Sequence, residues 1–172
     1  GWACWKTYVG RSERDGRRCD AMNLLGNGLS AANHDEDALS VREAELSLKL
    51  RLGDTEGNIL VVQGNLAMTY QDLGRVDEAL PLRQEVYSGR LKLNGEEHES
   101  TLIAANNYAY SLNSLQRFEE AKALMRKTIP LARRVLGESD ILTLKMWEIY
   151  AIALFSDPCA TLDDLREAVT TL

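Results

Sequence analysis

Between residues 58 and 95 the apolar positions fall at helical spacing, interrupted once. They predict a helix from about Asn58 to Leu73, a turn at Gly74, and a second helix from about Val76 to Leu93. Ala79, Leu82, Val86 and Leu93 form a one-sided stripe on the second helix. Gly74 and Gly95 are natural stops, because glycine accepts the left-handed conformation that follows a helix end. The pattern returns along the chain. Glu36–Gly53, Asp77–Gly95 and Glu119–Gly137 are each acidic at the start, basic toward the end and closed by glycine, with the closing glycines 42 residues apart. Gly10 extends the series upstream. Between these segments Asn65–Tyr70 matches Asn107–Leu112 and, more loosely, Ile149–Leu154. The repeating unit is therefore two helices, a first (A) and a second (B), with a period of about 42 residues.

Small residues recur where paired helices must approach closely. Gly26, Ala67, Ala109 and Ala151 share one position of the A helix, and Ala38, Ala79 and Ala121 share the matching B position twelve residues later. Leu165 breaks the rule in the fourth unit. A larger side chain at these positions would push the pair apart. Leu29, Tyr70, Leu112 and Leu154, three residues beyond the A-helix small position, are the large partners on its face. Charge follows the helix dipole: Asp54, Glu96 and Glu138 stand at A-helix entries, whereas Lys49, Arg90 and Arg133 stand in the last turns of B helices. Most charged residues are accordingly read as helix-end and solvated-face chemistry.

Composition narrows the function classes. The chain has 172 residues with 45% hydrophobic and 27% charged residues, too apolar for a disordered chain and short enough for one folded unit. Its apolar excess is Leu and Ala, which favours helix over sheet, so the expected class is all-α. A net charge of -6 argues against nucleic acid as partner, since phosphate neutralisation needs a basic surface. Cys4, Cys19 and Cys159 show neither pairing nor ligand spacing, which suits a reducing, intracellular and most simply cytoplasmic setting; an organelle stays open because the chain begins at Gly1. No apolar run approaches the roughly 18 residues of a membrane span, so no direct insertion in a membrane is expected.

The A-helix small position with its large neighbour, the turn near Gly74, and Ala79 and Ala121 twelve residues after Ala67 and Ala109 resemble tetratricopeptide repeats. The 42-residue spacing, Asn-Leu-Ala in the A helix, and Gly95–His98 followed by Thr101 and Leu102 are most similar to the kinesin-light-chain type. The resemblance implies one right-handed α-α superhelix of about three and a half repeats. Its parts would be 1–16 as an N-terminal cap or the tail of a preceding repeat, then repeats over 17–53, 54–95 and 96–137, and an incomplete fourth over 138–172. It further implies a non-catalytic scaffold or adaptor whose concave surface, lined by A helices, holds a segment of a partner protein.

The positions that would face inward are Asp20, Asn23 and Asn27; Val61, Asn65 and Met68; Ile103, Asn106, Asn107 and Tyr110; and Lys145, Glu148, Ile149 and Ile152. Of these, Asn23, Asn27, Asn65, Met68, Asn106, Asn107, Tyr110 and Lys145 are the candidate partner contacts. An Asn amide both donates and accepts, so a row of them can pair with a peptide backbone of any sequence. The competing reading has the same amides tying one repeat to the next. A clamp for a partner's terminal carboxylate is not expected, because the matching positions hold Asp20, Val61, Ile103 and Gly64, with Lys145 the lone cation.

No cofactor, metal or catalytic residue is assigned. His34 and His98 lie in turns, Cys19, His34 and Cys159 lack ligand spacing, and the glycines serve turns and helix ends. Trp2, Trp5 and Tyr8 are read as an aromatic cap, and the chain as a window cut from a longer array. Two other readings remain: a structural or linker subunit that bridges a large assembly through its B helices, and the recognition arm of a longer signalling NTPase.

Overall fold

The computed structural model describes residues 16–164, together with Lys6, Gly10, Ser12 and Arg166. Trp2, Trp5, Tyr8, Leu165 and most of the expected fourth B helix lie outside the described residues. Seven helices follow one another: α1 (Gly16–Ala31), α2 (Asp35–Leu52), α3 (Glu56–Asp72), α4 (Val76–Asn94), α5 (Glu99–Ser114), α6 (Phe118–Val135) and α7 (Ile141–Ser156). Odd-numbered helices are the A helices and even-numbered ones the B helices. No strand occurs among the described residues. The expected pair at 58–73 and 76–93 corresponds to α3 and α4 within two residues at every end.

Local chemistry sets those ends. Thr55 accepts the Asn58 backbone N–H at the start of α3, Asp140 accepts that of Leu142 at the start of α7, and the His98 ring accepts that of Ser100 at the start of α5. After each B helix the chain turns at a glycine of positive φ: 69° at Gly53, 84° at Gly95 and 102° at Gly137. Between A and B helices the same left-handed step falls on Gly74 at 73° and, in the neighbouring repeats, on Asn33 and Gln116 at 59° and 58°. The pattern of basic last turns and acidic entries is realised as ion pairs: Lys49 Nζ lies 3.0 Å from Asp54 Oδ2, and an Arg133 Nη2 lies 2.8 Å from Glu138 Oε1. Hydrogen bonds from Asn58, Lys49 and the Thr55 backbone hold the Asp54 carboxyl down at about 2.

The helices form two compact units that meet in sequence at Leu82 and Arg83, inside α4. In the first, α1 packs on α2 and α2 on α3. Cys19, Met22 and Leu48 cluster with Val41, and Ala38 and Ala67 are fully buried at the small positions. In the second, α5, α6 and α7 pack on one another around Leu102, Met125, Ile129, Met146, Tyr150 and Leu154. Ala109 and Ala121 are again fully buried.

The reading of most charged residues as helix-end and solvated-face chemistry has exceptions. Among the described residues four charged ones, Arg42, Glu45, Arg83 and Lys122, are buried. Lys122 of α6 tolerates this because its ammonium lies 2.8 Å from Asp157 Oδ2 and 2.6 Å from Glu119 Oε1. In spite of burial, these carboxylates hold its pKa above the ordinary lysine value. Asp157, just past the end of α7, is thus a counter-ion of a buried lysine.

Candidate functional site

The A helices carry exposed apolar side chains where a solvated face would be polar. In the first unit α3 exposes Val61 and Met68, and in the second α5 exposes Ile103 and Tyr110, all between 41% and 47% accessible. The members of each pair are seven residues apart and so lie on one side of their helix. Half-buried Asn65 sits between the first pair, half-buried Asn106 and Asn107 between the second. In α7 the corresponding pair is Lys145 and Ile152, both exposed, with exposed Glu148 between them. Ile149 departs from the expected inward row. At the repeat position that half-buried Asn65 and Asn107 hold, this apolar side chain is buried with Leu102 and Tyr150, and its carbonyl accepts a 2.8 Å hydrogen bond from Asn113 Nδ2 of α5. Asn113 is thus the amide that ties two A helices together, a role that the sequence reading did not give it.

The Asn side chains are used differently in the two units. Asn107 Oδ1 accepts a 3.4 Å bond from Asn106 Nδ2, and no bond from the Asn65 amide to a neighbouring helix is present among the described residues. Exposed Asn27 and half-buried Asn23 of α1, by contrast, are hydrogen-bonded in a chain that leads to a buried arginine. Arg42 of α2 is 1% exposed and donates to Asn27 Oδ1 at 3.0 Å, to the Asn65 carbonyl at 3.0 Å and to the Thr69 hydroxyl. Asn27 Nδ2 passes a further 3.1 Å bond to Asn23 Oδ1. Arg42 therefore connects α1 to α3 from beneath.

Gly26 makes room for it. A Cβ there would stand 3.3 Å from both Cγ and Nε of Arg42, a side chain fixed by three acceptors. At Gly64 of α3, three residues before the equivalent position, an added Cβ would meet open space. Glycine in a helix interior costs about 1 kcal/mol relative to alanine. Gly64→Ala is expected to raise stability by about that amount, whereas Gly26→Ala should lower it by about 1 kcal/mol. Urea titrations of both variants check this; equal gains would mean that Arg42 gives way freely.

One turn beyond Arg42, α2 forms the floor of a recess of about 390 Å³ between α1 and α3. Asp20, Asn23 and Leu24 of α1 stand on one side, Asn58, Val61 and Val62 of α3 on the other, and Glu45 and Lys49 at the base. Glu45 is 1% exposed, and its Oε2 has no hydrogen-bond partner. Burial pushes its carboxyl up to about 7, against the opposing pull of Lys49 and Arg42. Burial also raises the neighbouring Cys19 thiol and lowers Arg42. Lys49, although burial opposes its charge, is held above its ordinary value by the hydrogen bond to Asp54. Counted from the recurring alanines Ala38, Ala79 and Ala121, the places of Arg42 and Glu45 are taken by Arg83 and Val86 in the next repeat and by Met125 and Thr128 in the one after. An ionisable group at the Glu45 position is particular to the first repeat.

Among the described residues no group of three His, Cys, Asp or Glu side chains could hold a metal ion, and no helix is long and apolar enough to cross a membrane.

Comparison with known proteins fits this geometry. Residues 58–134 match the family model for the tetratricopeptide repeat. A crystal structure of nearly identical TPR-like repeats, described as a kinesin light chain of Podosopora anserina, superposes with a TM-score of 0.80 at 22% identity, over 96% of this chain and 76% of that one. A variant of that protein gives 0.81 at 21% identity with the same coverage. BtubC (BKLC) from P. vanneervenii gives 0.77 at 16% identity, over 99% of this chain and 68% of its own. No curated protein matches the sequence.

Proposed function

Residues 58–134 match the tetratricopeptide-repeat model and the fold is that of such repeats, and from that premise we propose that the chain is a tetratricopeptide-repeat protein of the kinesin-light-chain type, a non-catalytic adaptor holding an extended or helical segment of a partner protein on its A-helix faces. One observation carries this reading. Val61 and Met68 on α3, and Ile103 and Tyr110 on α5, leave apolar surface in water at repeat-equivalent positions, each pair flanking an Asn amide. Recurrent exposed apolar surface beside hydrogen-bonding groups suits a partner chain, which would bury the first and pair with the second. The mixture favours a segment that is partly apolar and not strongly acidic. An intracellular site of action accords with a buried free Cys19 and an exposed free Cys159.

Peptides selected from a displayed random decapeptide library provide the test. Asn65→Ala combined with Asn107→Ala is expected to weaken the selected peptides roughly tenfold, the equivalent of one to two hydrogen bonds, with stability changed by less than about 1 kcal/mol. A large fall in melting temperature with unchanged peptide affinity would instead assign these amides to holding the repeats together. A bridging role for the B helices has one observation in its favour, the exposed Leu52, Leu93 and Val135 near the ends of α2, α4 and α6. Selected peptides that crosslink to those three residues and not to Met68 or Tyr110 would establish it.

A further inference from the structure

We infer that the recess between α1 and α3 is a specificity pocket for a cationic side chain, taking the ammonium of a Lys or the guanidinium of an Arg from the bound segment onto Glu45. The inference rests on the peptide-holding role and adds the chemistry of one residue in the ligand.

Glu45 supplies the first reason. A buried carboxylate oxygen without a donor forfeits about 1 to 3 kcal/mol, and folded proteins rarely leave one so. The two cations that act on it are already committed. Lys49 is 3.0 Å from Asp54, and Arg42 is shared among Asn27, Asn65 and Thr69. A donor brought in from outside would satisfy this oxygen, and the recess that Glu45 lines is the way in.

The walls supply the second. Leu24 and Val61 are exposed at its sides, apolar surface suited to the methylene stem of a long cation, while Asp20 adds negative charge from α1. At about 390 Å³ the space falls within the roughly 300 to 1,000 Å³ of small-molecule sites. The third reason is repeat comparison. Val86 and Thr128 occupy the Glu45 position elsewhere, so the repeat fold does not require a carboxylate there. An ionisable group kept at a cost in one repeat, beside a cavity, is the pattern of a binding site.

Occupancy couples to protons. With its carboxyl at about 7, Glu45 is half ionised near neutrality, and only the ionised form attracts a cation. The charged and titratable groups around it are Asp20 and Cys19 of α1, Arg42 and Lys49 of α2, and Asp54 ahead of α3; α3 itself contributes Asn58, Val61 and Val62. Cation binding therefore competes with protonation of Glu45 and strengthens about tenfold from pH 6 to pH 8, as the ionised fraction rises.

Pools of acetylated decapeptides with the central residue fixed as Lys, Arg, norleucine or Glu, applied to the whole 172-residue chain, test this. The Lys and Arg pools should bind about tenfold more tightly than the norleucine pool at pH 8, with the preference largely gone at pH 6. Glu45→Gln should abolish the preference and Asp20→Asn should reduce it. A parallel carbon NMR titration follows the Glu45 carboxyl with n-butylammonium as probe and n-butanol as its neutral control. The amine should move the midpoint down by about one pH unit and the alcohol should leave it in place. Pools bound without regard to the central residue overturn the recess assignment and leave the peptide-holding role standing. If no pool binds, that role fails, and the assignment is then decided by the butylammonium titration: an unmoved midpoint overturns it.

Discussion

Arg42→Ala is expected to destabilise the first unit by about 3 to 5 kcal/mol, the largest loss from any single substitution considered in this chain. Three acceptors on two helices depend on this side chain: Asn27 Oδ1 in α1, and the Asn65 carbonyl and Thr69 hydroxyl in α3. Truncation leaves buried Thr69 without its charged donor and opens a cavity the length of an arginine beside Gly26, which has no side chain to fill it. Arg42→Met separates the two contributions. Methionine is what the chain itself uses at the equivalent Met125, which is completely buried, so it should restore the packing and recover about half of the loss while leaving the acceptors unpaired. Because the helices divide into two compact units, a single melting temperature is a poor readout. Amide hydrogen exchange is the appropriate measurement: protection should fall in α1 and α3 and stay unchanged in α5, α6 and α7. A loss below about 1 kcal/mol, or one spread evenly over both units, would show that Arg42 is not the tie between α1 and α3.

That residue also marks where sequence reading stops. The helices, their turns and the small packing positions were legible because each depends on local chemistry repeated every 42 residues: an apolar stripe, a glycine in the left-handed region, an alanine where two helices meet. The exposed pairs Val61 and Met68, and Ile103 and Tyr110, followed from the same periodicity. Buried charge is different in kind. Lys122 stands where the preceding repeats carry Leu39 and Leu80, and what makes it tolerable is Asp157, 35 residues away. Arg42 depends on Asn65 and Thr69, 23 and 27 residues away. Neither partner is announced by spacing, since both are brought close only by the packing of one helix on the next. The signal that could have revealed them was disagreement between repeats: Arg42 against Met125, Glu45 against Val86 and Thr128, and Lys122 against two leucines. Averaging the repeats to establish the period suppresses these differences. Ile149 shows the converse: it keeps the 42-residue register of Asn65 and Asn107, yet as an apolar side chain it is buried with Leu102 and Tyr150 where the asparagines are half-buried.

The same disagreement leads to a pH-dependent result. Glu45→Gln is expected to stabilise the chain by about 3 kcal/mol at pH 8 and by no more than a few tenths near pH 4. The folded state raises the Glu45 carboxyl from 4.5 to about 7, so between those values the folded chain binds a proton that the unfolded chain has released. This favours the fold in acid, fully below about pH 4.5, and the advantage is lost as pH rises through about 7. Glutamine keeps the shape and stays neutral at every pH, so its benefit is the ionisation cost that the wild type bears in alkali and escapes in acid. Urea titrations at pH 4, 6 and 8 should show the two proteins converging at the low end. A gain that is independent of pH would mean that glutamine merely packs better, and no gain at pH 8 would mean that the carboxylate is satisfied in the folded chain. A gain of the expected size would show that Glu45 is held in the first repeat against the interest of stability. A residue kept on those terms has to be explained by what it binds, and the recess above it is open to solvent on the side where a partner segment would lie.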